Sequence, residues 1–275
     1  MPELAEVEFY RQRWHEAGLH QQITRVRTHD RKKIFRTAPA AKLRQVLTGA
    51  TMLRSEAAAK QMVFQFSGAG WLGIHLGMSG ELFVKSSDYL PGKHDHLVLF
   101  TNRHALVFRD PRMFGKIEFA LGEAPPAWWT RIVPAILSPA FSNAVVAAFL
   151  KRRAKTPIKA VLLMQERFPG IGNWMADEVL WRAAIHPRRL AGSLRADEIK
   201  TLWRECRQVC RLALRNIAGH GGKLPPDLNI NIPDTWLFNH RWEDGGRCPK
   251  TGVLLVREEI GGRTTCWSPA RQKPK

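Results

Sequence analysis

Three residues on two short glycine-bearing phrases have the types needed to hold an opened duplex. HLGMSG (75–80) carries Met78, and DPRMFG (110–115) carries Arg112 and Phe114. A protein that displaces a base must fill the vacated space with apolar wedges and a cation. Turns between strands would present such side chains. Taken singly, each phrase also reads as a β-turn with a core methionine or phenylalanine. FPGIGNWMADEVLW sets Gly170 and Gly172 before Asn173 at a helix start. Free N–H groups there can bind a phosphate, with Asn173 adding a donor; a plain helix cap explains Asn173 equally well. MPELAEVE places Pro2 next to the start methionine, with Glu3 and Glu6 close behind. Proline suits the first turn of a helix, and acids complement its positive end. By local rules alone the octet is a helix start.

Metal chemistry finds no support. CPKTG and CWSP each hold one cysteine, Cys248 and Cys266, where a zinc hairpin would hold a C-x-x-C pair; Thr251 and Pro269 stand at the second positions. Neither is a competent ligand, and a closed site needs four. The expectation is no zinc and no other cofactor. Cys206 and Cys210, four apart on a helical stretch, read as small buried residues.

The 275 residues carry 43 Lys and Arg against 24 acids, a formal charge of +19. That excess is the electrostatic footprint of a nucleic-acid binder. No apolar run is long enough for a membrane span, and the N-terminus lacks the pattern of a secretory signal. Four irregularly spaced cysteines make no disulfide framework. The composition points to a cytoplasmic monomer, nucleoid-associated if bacterial, with a core large enough to be stable alone.

The elements that must position these residues change character along the chain. From Pro2 to Leu19 the apolar spacing predicts a helix ending at Gly18. QITRVR, TMLRSEAAAKQMVFQF, WLGIHLGMSGELFV, DHLVLF, ALVFRD and GKIEFAL then predict strands of an antiparallel sandwich. A proline-rich stretch at 122–139 marks a boundary. Beyond it SNAVVAAFL, IKAVLLMQERF, NWMADEVLWRAAI and ADEIKTLWRECRQVCRLALRNI predict helices. AGHGGKLPPDLNINIPDT predicts a mobile loop, and the Cys-flanked VLLVREEI a terminal hairpin.

Taken together, MPELAEVE, AAAKQ with Lys60, HLGMSG, KHDH, DPRMFG, PGIGN and GGRTTCW resemble the formamidopyrimidine-DNA glycosylase/endonuclease VIII family, in its formamidopyrimidine-DNA glycosylase branch, over nearly the whole chain. The resemblance implies an α+β multidomain fold: an N-terminal catalytic β-sandwich with an N-terminal helix (1–125), a helix-two-turn-helix DNA-binding domain with a base-lid loop (126–236), and a zincless-finger β-hairpin (237–275). It implies a bifunctional enzyme that excises oxidised bases from double-stranded DNA and cuts at the abasic site. Pro2, freed of Met1, would be the nucleophile; Glu3 the acid/base; Glu6 its support; Lys60 a proton-handling and phosphate-contacting lysine; and Arg263 the phosphate-binding arginine of the hairpin. His94, Arg112, Asn173 and the basic run around Lys155 would contact DNA, with Met78, Arg112 and Phe114 as the void-filling wedge.

Several departures from the family pattern bear on this. Ala5 stands for a second proline, SEAAA replaces a more basic run before Lys60, and Ala154 takes the place of a DNA-contacting lysine among Lys151, Arg152, Arg153 and Lys155. Without a metal the hairpin must rest on apolar packing by Val253, Leu254, Leu255 and Trp267. The lid GHGGKLPPDLNINI lacks the threonine-rich pattern associated with 8-oxoguanine recognition. The weakened zinc motif and altered lid motivate an alternative, a non-catalytic DNA-damage binder on the same fold. A general basic nucleic-acid protein leaves the paired N-terminal carboxylates unexplained.

Overall fold

The computed structural model describes residues 2–29, 33–35 and 38–274. Contacts divide the chain into two compact units, one ending at Ile132 and one beginning at Val133.

The first unit opens with α1 (Leu4–Gly18), followed by β1 (Arg25–Thr28), α2 (Ala40–Leu47), β2 (Met52–Ala58), β3 (Gln61–Phe66), β4 (Gly70–His75), β5 (Glu81–Ser86), β6 (Asp95–Phe100), β7 (His104–Arg109), β8 (Lys116–Leu121) and the short α3 (Ala127–Thr130). The strands form two antiparallel four-stranded sheets, ordered β1-β6-β7-β5 and β2-β3-β4-β8. Helix α1 packs on strands of both. Its Trp14 is fully buried, stacks at a tilt on Phe64 of β3 and donates from Nε1 to the Phe83 carbonyl of β5 at 3.1 Å. One residue thereby ties helix and sheets together. At its end α1 comes so close to the strands that a Cβ on Gly18 would meet Leu106 Cδ1 at 2.8 Å, which is why glycine stands there. TMLRSEAAAKQMVFQF, which read as one run, is a hairpin, and WLGIHLGMSGELFV is split between the two sheets. Helix α2 adds to the strand-rich expectation; Ala40, Leu43 and Leu47 give it a buried face at helical spacing.

The second unit contains α4 (Asn143–Arg152), α5 (Ile158–Leu162), α6 (Asn173–Ala183), α7 (Ala196–Ala218), β9 (Val256–Ile260) and β10 (Arg263–Trp267). Helix α7 buries Leu202, Cys206, Val209, Cys210, Ala213 and Ile217 at three- and four-residue steps and ends on Gly219 at φ +68°, the left-handed cap a glycine favours. IKAVLLMQERF does not stay helical to its end: α5 stops at Leu162. There the Gln165 amide donates to the Ile171 carbonyl at 2.8 Å and its oxygen accepts the Gly170 N–H at 3.0 Å, a side-chain turn that leads the chain into α6.

Candidate functional site

At the N-terminus the helix starts at Leu4 with Glu3 as its N-cap. Pro2 therefore stands ahead of the cap, and the helix-start reading of the proline is corrected: it is not the first helical residue. The Glu3 N–H, an orphan donor by position, donates to Glu6 Oε2 at 3.0 Å. Glu3 and Glu6 are 2% and 5% exposed. Glu8, on the same helix, is bound to Arg11 at 2.7 Å and to the Gln12 amide at 2.8 Å. The capping geometry thus holds the Glu6 carboxylate on the N–H of the residue that directly follows Pro2.

Lys60 occupies the two-residue turn between β2 and β3 and is 9% exposed. Ala59 before it takes φ +56°, a left-handed conformation that costs a residue with a Cβ about 1–2 kcal/mol. Gln61, the next residue, pairs with His75 across β3 and β4. His75 is a residue the sequence reading passed over, although it begins HLGMSG. Its Nδ1 accepts the Gly77 N–H at 3.0 Å, which assigns the ring proton to Nε2. Burial first, then the charges of Lys60 and Lys116, hold its pKa below the usual imidazole value against the opposing pull of Glu118. A cavity of about 340 Å³ is lined by Gln61, His75, Phe114, Gly115, Lys116 and Glu118, so the Lys60 hairpin and the Phe114 loop border one space.

Met78, Arg112 and Phe114 come together on adjacent loops. Met78 and Phe114 are 40% and 52% exposed, large for apolar side chains, and the Arg112 guanidinium lies 5.0 Å from the Phe114 ring centre. Met113 between them is also exposed and adopts φ +56°. His94 is half-buried, and its carbonyl accepts the Asp110 N–H at 3.0 Å. Asp95 behind it is buried; it accepts from Arg109 Nε at 2.7 Å, the Tyr89 hydroxyl at 2.6 Å and the Gly92 N–H at 2.7 Å. Although burial pushes the Asp95 pKa up, these bonds outweigh it and hold the carboxyl below its usual range.

In the second unit, Gly172 is the N-cap of α6 and Asn173 its first helical residue. Asn173 does not cap the helix: its Nδ2 donates to the Thr264 carbonyl of β10 at 2.7 Å. This places Arg263, one residue earlier, beside the helix start. Arg263 is exposed and follows the β9–β10 turn, where Gly261 and Gly262 have φ +62° and +74°. Two successive positive φ values are the requirement of a type I′ hairpin turn, and the turn rests on α5, with a Gly261 Cβ position 2.9 Å from Ala160 Cβ. Beneath lies a buried charge cluster. Asp177 accepts from Lys159 Nζ at 2.5 Å, from Arg241 Nη2 at 2.5 Å and Nε at 3.1 Å, and from the Cys266 N–H at 3.0 Å. Lys155 lies apart from these groups, exposed in the turn after α4.

The hairpin does rest on apolar packing, through part of the expected set: Leu255 is buried, and the half-buried Trp267 ring lies 4.4 Å from that of His186. Val253 and Leu254 are exposed at 42% and 52%, whereas Leu255, Cys248 and Cys266 pack with Trp181 and Leu237. The Trp181 indole N–H donates to Cys248 Sγ at 3.4 Å. Burial raises the Cys248 thiol, yet hydrogen bonding led by Thr251 and including Trp181 brings it down to about 7; burial and the Asp177 charge push Cys266 up to about 12. Among the described residues no cluster of three or more His, Cys, Asp or Glu is arranged to hold a metal ion.

Comparison with known proteins agrees over both units. The formamidopyrimidine-DNA glycosylase N-terminal domain matches residues 1–117, and the formamidopyrimidine-DNA glycosylase H2TH domain matches residues 132–222. The formamidopyrimidine-DNA glycosylase of Roseiflexus sp. is 33% identical over 278 residues, covering 99% of this chain and 100% of its own. That of Cereibacter sphaeroides is 37% identical over 258 residues, 90% of this chain and 89% of its own. Among solved structures, wild-type Lactococcus lactis Fpg in complex with DNA containing N7-benzyl-Fapy-dG superposes with a TM-score of 0.86 at 26% identity, covering 99% of this chain and 100% of that one. The same enzyme with abasic-site DNA gives 0.85 at the same identity and coverage. The chain belongs to the formamidopyrimidine-DNA glycosylase family.

Proposed function

We propose that this protein works in base excision repair as a bifunctional DNA glycosylase and AP lyase, with Pro2 as nucleophile. Loss of Met1 frees a secondary amine. Its lone pair attacks the deoxyribose C1′; the damaged base leaves with the electrons of the glycosidic bond and takes up the proton that the amine sheds. Glu3 protonates O4′ as the C1′–O4′ bond breaks, leaving an iminium between Pro2 and C1′. Removal of a C2′ proton then expels the 3′ phosphate, and a second elimination expels the 5′ phosphate. Glu6 holds the Glu3 backbone in place, and Lys60 moves protons and binds phosphate. Met78, Arg112 and Phe114 fill the gap in the stack, while His94, Asn173, Arg263 and Lys155 grip the backbone.

The observation that supports this reading above the others is the placement of Pro2 ahead of the helix cap, directly followed by the buried Glu3. An α-amino group titrates at roughly 7.7–8.0, so part of the population is nucleophilic at neutral pH. Borohydride trapping tests it: protein whose first residue is confirmed as proline becomes covalently linked to abasic-site DNA, and one added N-terminal residue abolishes the link. Equal strand cleavage by wild type and a Pro2→Gly, Glu3→Gln variant with DNA binding retained would instead identify a non-catalytic damage binder. The active species is a monomer on duplex DNA within the cell. Among the described residues no helix is long and apolar enough to cross a membrane.

A further inference from the structure

A wedge that enters a base stack must be rigid before it arrives, yet the side chains assigned to that job sit exposed at loop tips. One buried side chain bonds to both loops. We infer that Asp110 is the positioning residue of the wedge, a buried carboxylate that locks the Met78 loop and the Arg112–Phe114 loop into one body. Asp110 is 0% exposed. Its Oδ1 accepts from Ser79 Oγ at 2.7 Å, next to Met78, and from the Arg112 N–H at 3.2 Å. Its Oδ2 accepts the Gly115 N–H at 2.7 Å, next to Phe114. Its own carbonyl accepts the Met113 N–H at 3.2 Å and faces the His96 ring nitrogen Nε2 at 2.9 Å.

The donors to this carboxylate are a hydroxyl and two backbone N–H groups, and among the described residues no lysine or arginine pairs with it. A buried carboxylate satisfied by dipoles alone depends on each of them, because any unmatched member bears the full cost of desolvation. The loops also meet backbone to backbone. A Cβ on Gly77, which has φ +65°, would lie 2.4 Å from the Phe114 carbonyl carbon, and one on Gly115 would lie 2.8 Å from Phe108 Cζ and 3.1 Å from Asp110 Oδ2. Neither loop can shift without the other, and Asp110 is the polar contact that fixes their register.

This inference rests on the proposed wedge, so its test separates the two. Stopped-flow fluorescence of 2-aminopurine beside a lesion reads duplex opening, and borohydride trapping on single-stranded abasic DNA reads the chemistry without any duplex to open. Asp110→Asn puts a donor where a donor already points. It should slow the opening phase at least about tenfold, the equivalent of one buried group left unmatched, with trapping on the single strand within twofold of wild type. Ser79→Ala, which removes one donor and keeps the charge, should slow opening less. A lesion in a mispair or bulge, already unstacked, should recover most of the lost rate, a rescue that general destabilisation would not give. Wild-type opening by Asp110→Asn while Phe114→Ala is slow overturns the role of Asp110; wild-type opening by both overturns the wedge itself. Equal loss on duplex, bulge and single strand makes Asp110 a folding residue and also overturns the inference.

Discussion

Replacing Asp177 by alanine should destabilise the second unit more than any other single carboxylate change in it. Asp177 joins Lys159 of α5, Arg241 and the Cys266 N–H of β10, and both cations are buried, at 0% and 5% exposure. Without the carboxylate, two positive charges share a dry site in which Lys159 retains the Asn173 carbonyl at 2.7 Å. Removing one partner of a buried pair costs about 3–5 kcal/mol, and the unmatched Cys266 N–H adds about 1–3 kcal/mol. Lysine can shed its proton to escape part of this, so a net loss of about 4 kcal/mol is expected. With a urea slope of roughly 1–3 kcal/mol/M, the midpoint falls by more than about 1 M. Trp14, Trp71, Trp128 and Trp129 lie in the first unit and the other six tryptophans in the second, so tryptophan emission reports both transitions, and amide exchange within each unit assigns the shifted one. Amide exchange at Thr264 and Thr265 should accelerate, since the cluster anchors β10. A loss under about 1 kcal/mol with unchanged exchange would refute the view that this cluster, in place of a metal, fixes the hairpin to α6.

Chelation tests the hairpin from another side: EDTA or phenanthroline should leave the urea midpoint and strand cleavage unchanged, and native mass spectrometry should find no stoichiometric zinc; a midpoint shift on chelation would contradict this. Stability should also fall on acidification. His75 has its pKa lowered chiefly by burial, so the unfolded chain takes up a proton near 6.5 while the folded one resists until lower pH. Its contribution is complete above about 6.5 and is lost as pH falls through the window below that. His15, His96 and His186 shift the same way, each mainly by burial. His75→Gln should therefore reduce, without abolishing, the loss between pH 7.5 and 5.5 in urea titrations; an unchanged slope would show that His75 is not buried neutral.

What was legible in the sequence was whatever repeats with a period or breaks one. The short apolar run DHLVLF, buried along its whole length, and the three- and four-residue steps of α7 follow the strand and helix as read, because a strand covered on both faces stays apolar throughout and a helix buried on one face repeats at that spacing. IKAVLLMQERF misled because its second half keeps helical periodicity while Gln165 supplies the turn with its own hydrogen bonds, which no periodicity records. The exposed site residues could be named from residue type and motif. Their supports could not: Asp95, Asp110 and Asp177 each lie in a phrase that was quoted, yet only the fold shows that they point inward. Val253 and Leu254 illustrate the converse, since apolar identity alone placed in the core two side chains that face water.

These three buried aspartates share one logic. Asp95 fixes the His94 loop, Asp110 the wedge, and Asp177 the α6–β10 junction that carries Asn173 and Arg263. In each case the acid bonds backbone N–H groups beneath an element assigned to DNA. A chain of charge +19 has few acids to place. On the surface near these elements, an acid would weaken attraction for phosphate, whereas a buried one adds rigidity and leaves the outer field positive. Arginine anchors would hold a backbone through its carbonyls and leave its N–H groups turned outward or unmatched. A carboxylate draws the N–H groups inward and lets exposed cations and apolar side chains stand on a backbone already satisfied. On this argument Asp95→Asn should resemble Asp110→Asn: the loop backbone loosens while the cations stay, so specific opening of a lesion duplex suffers more than salt-dependent binding to undamaged DNA. A purely electrostatic role would reverse that order, because deleting an acid from a basic protein would tighten non-specific binding and spare the chemistry.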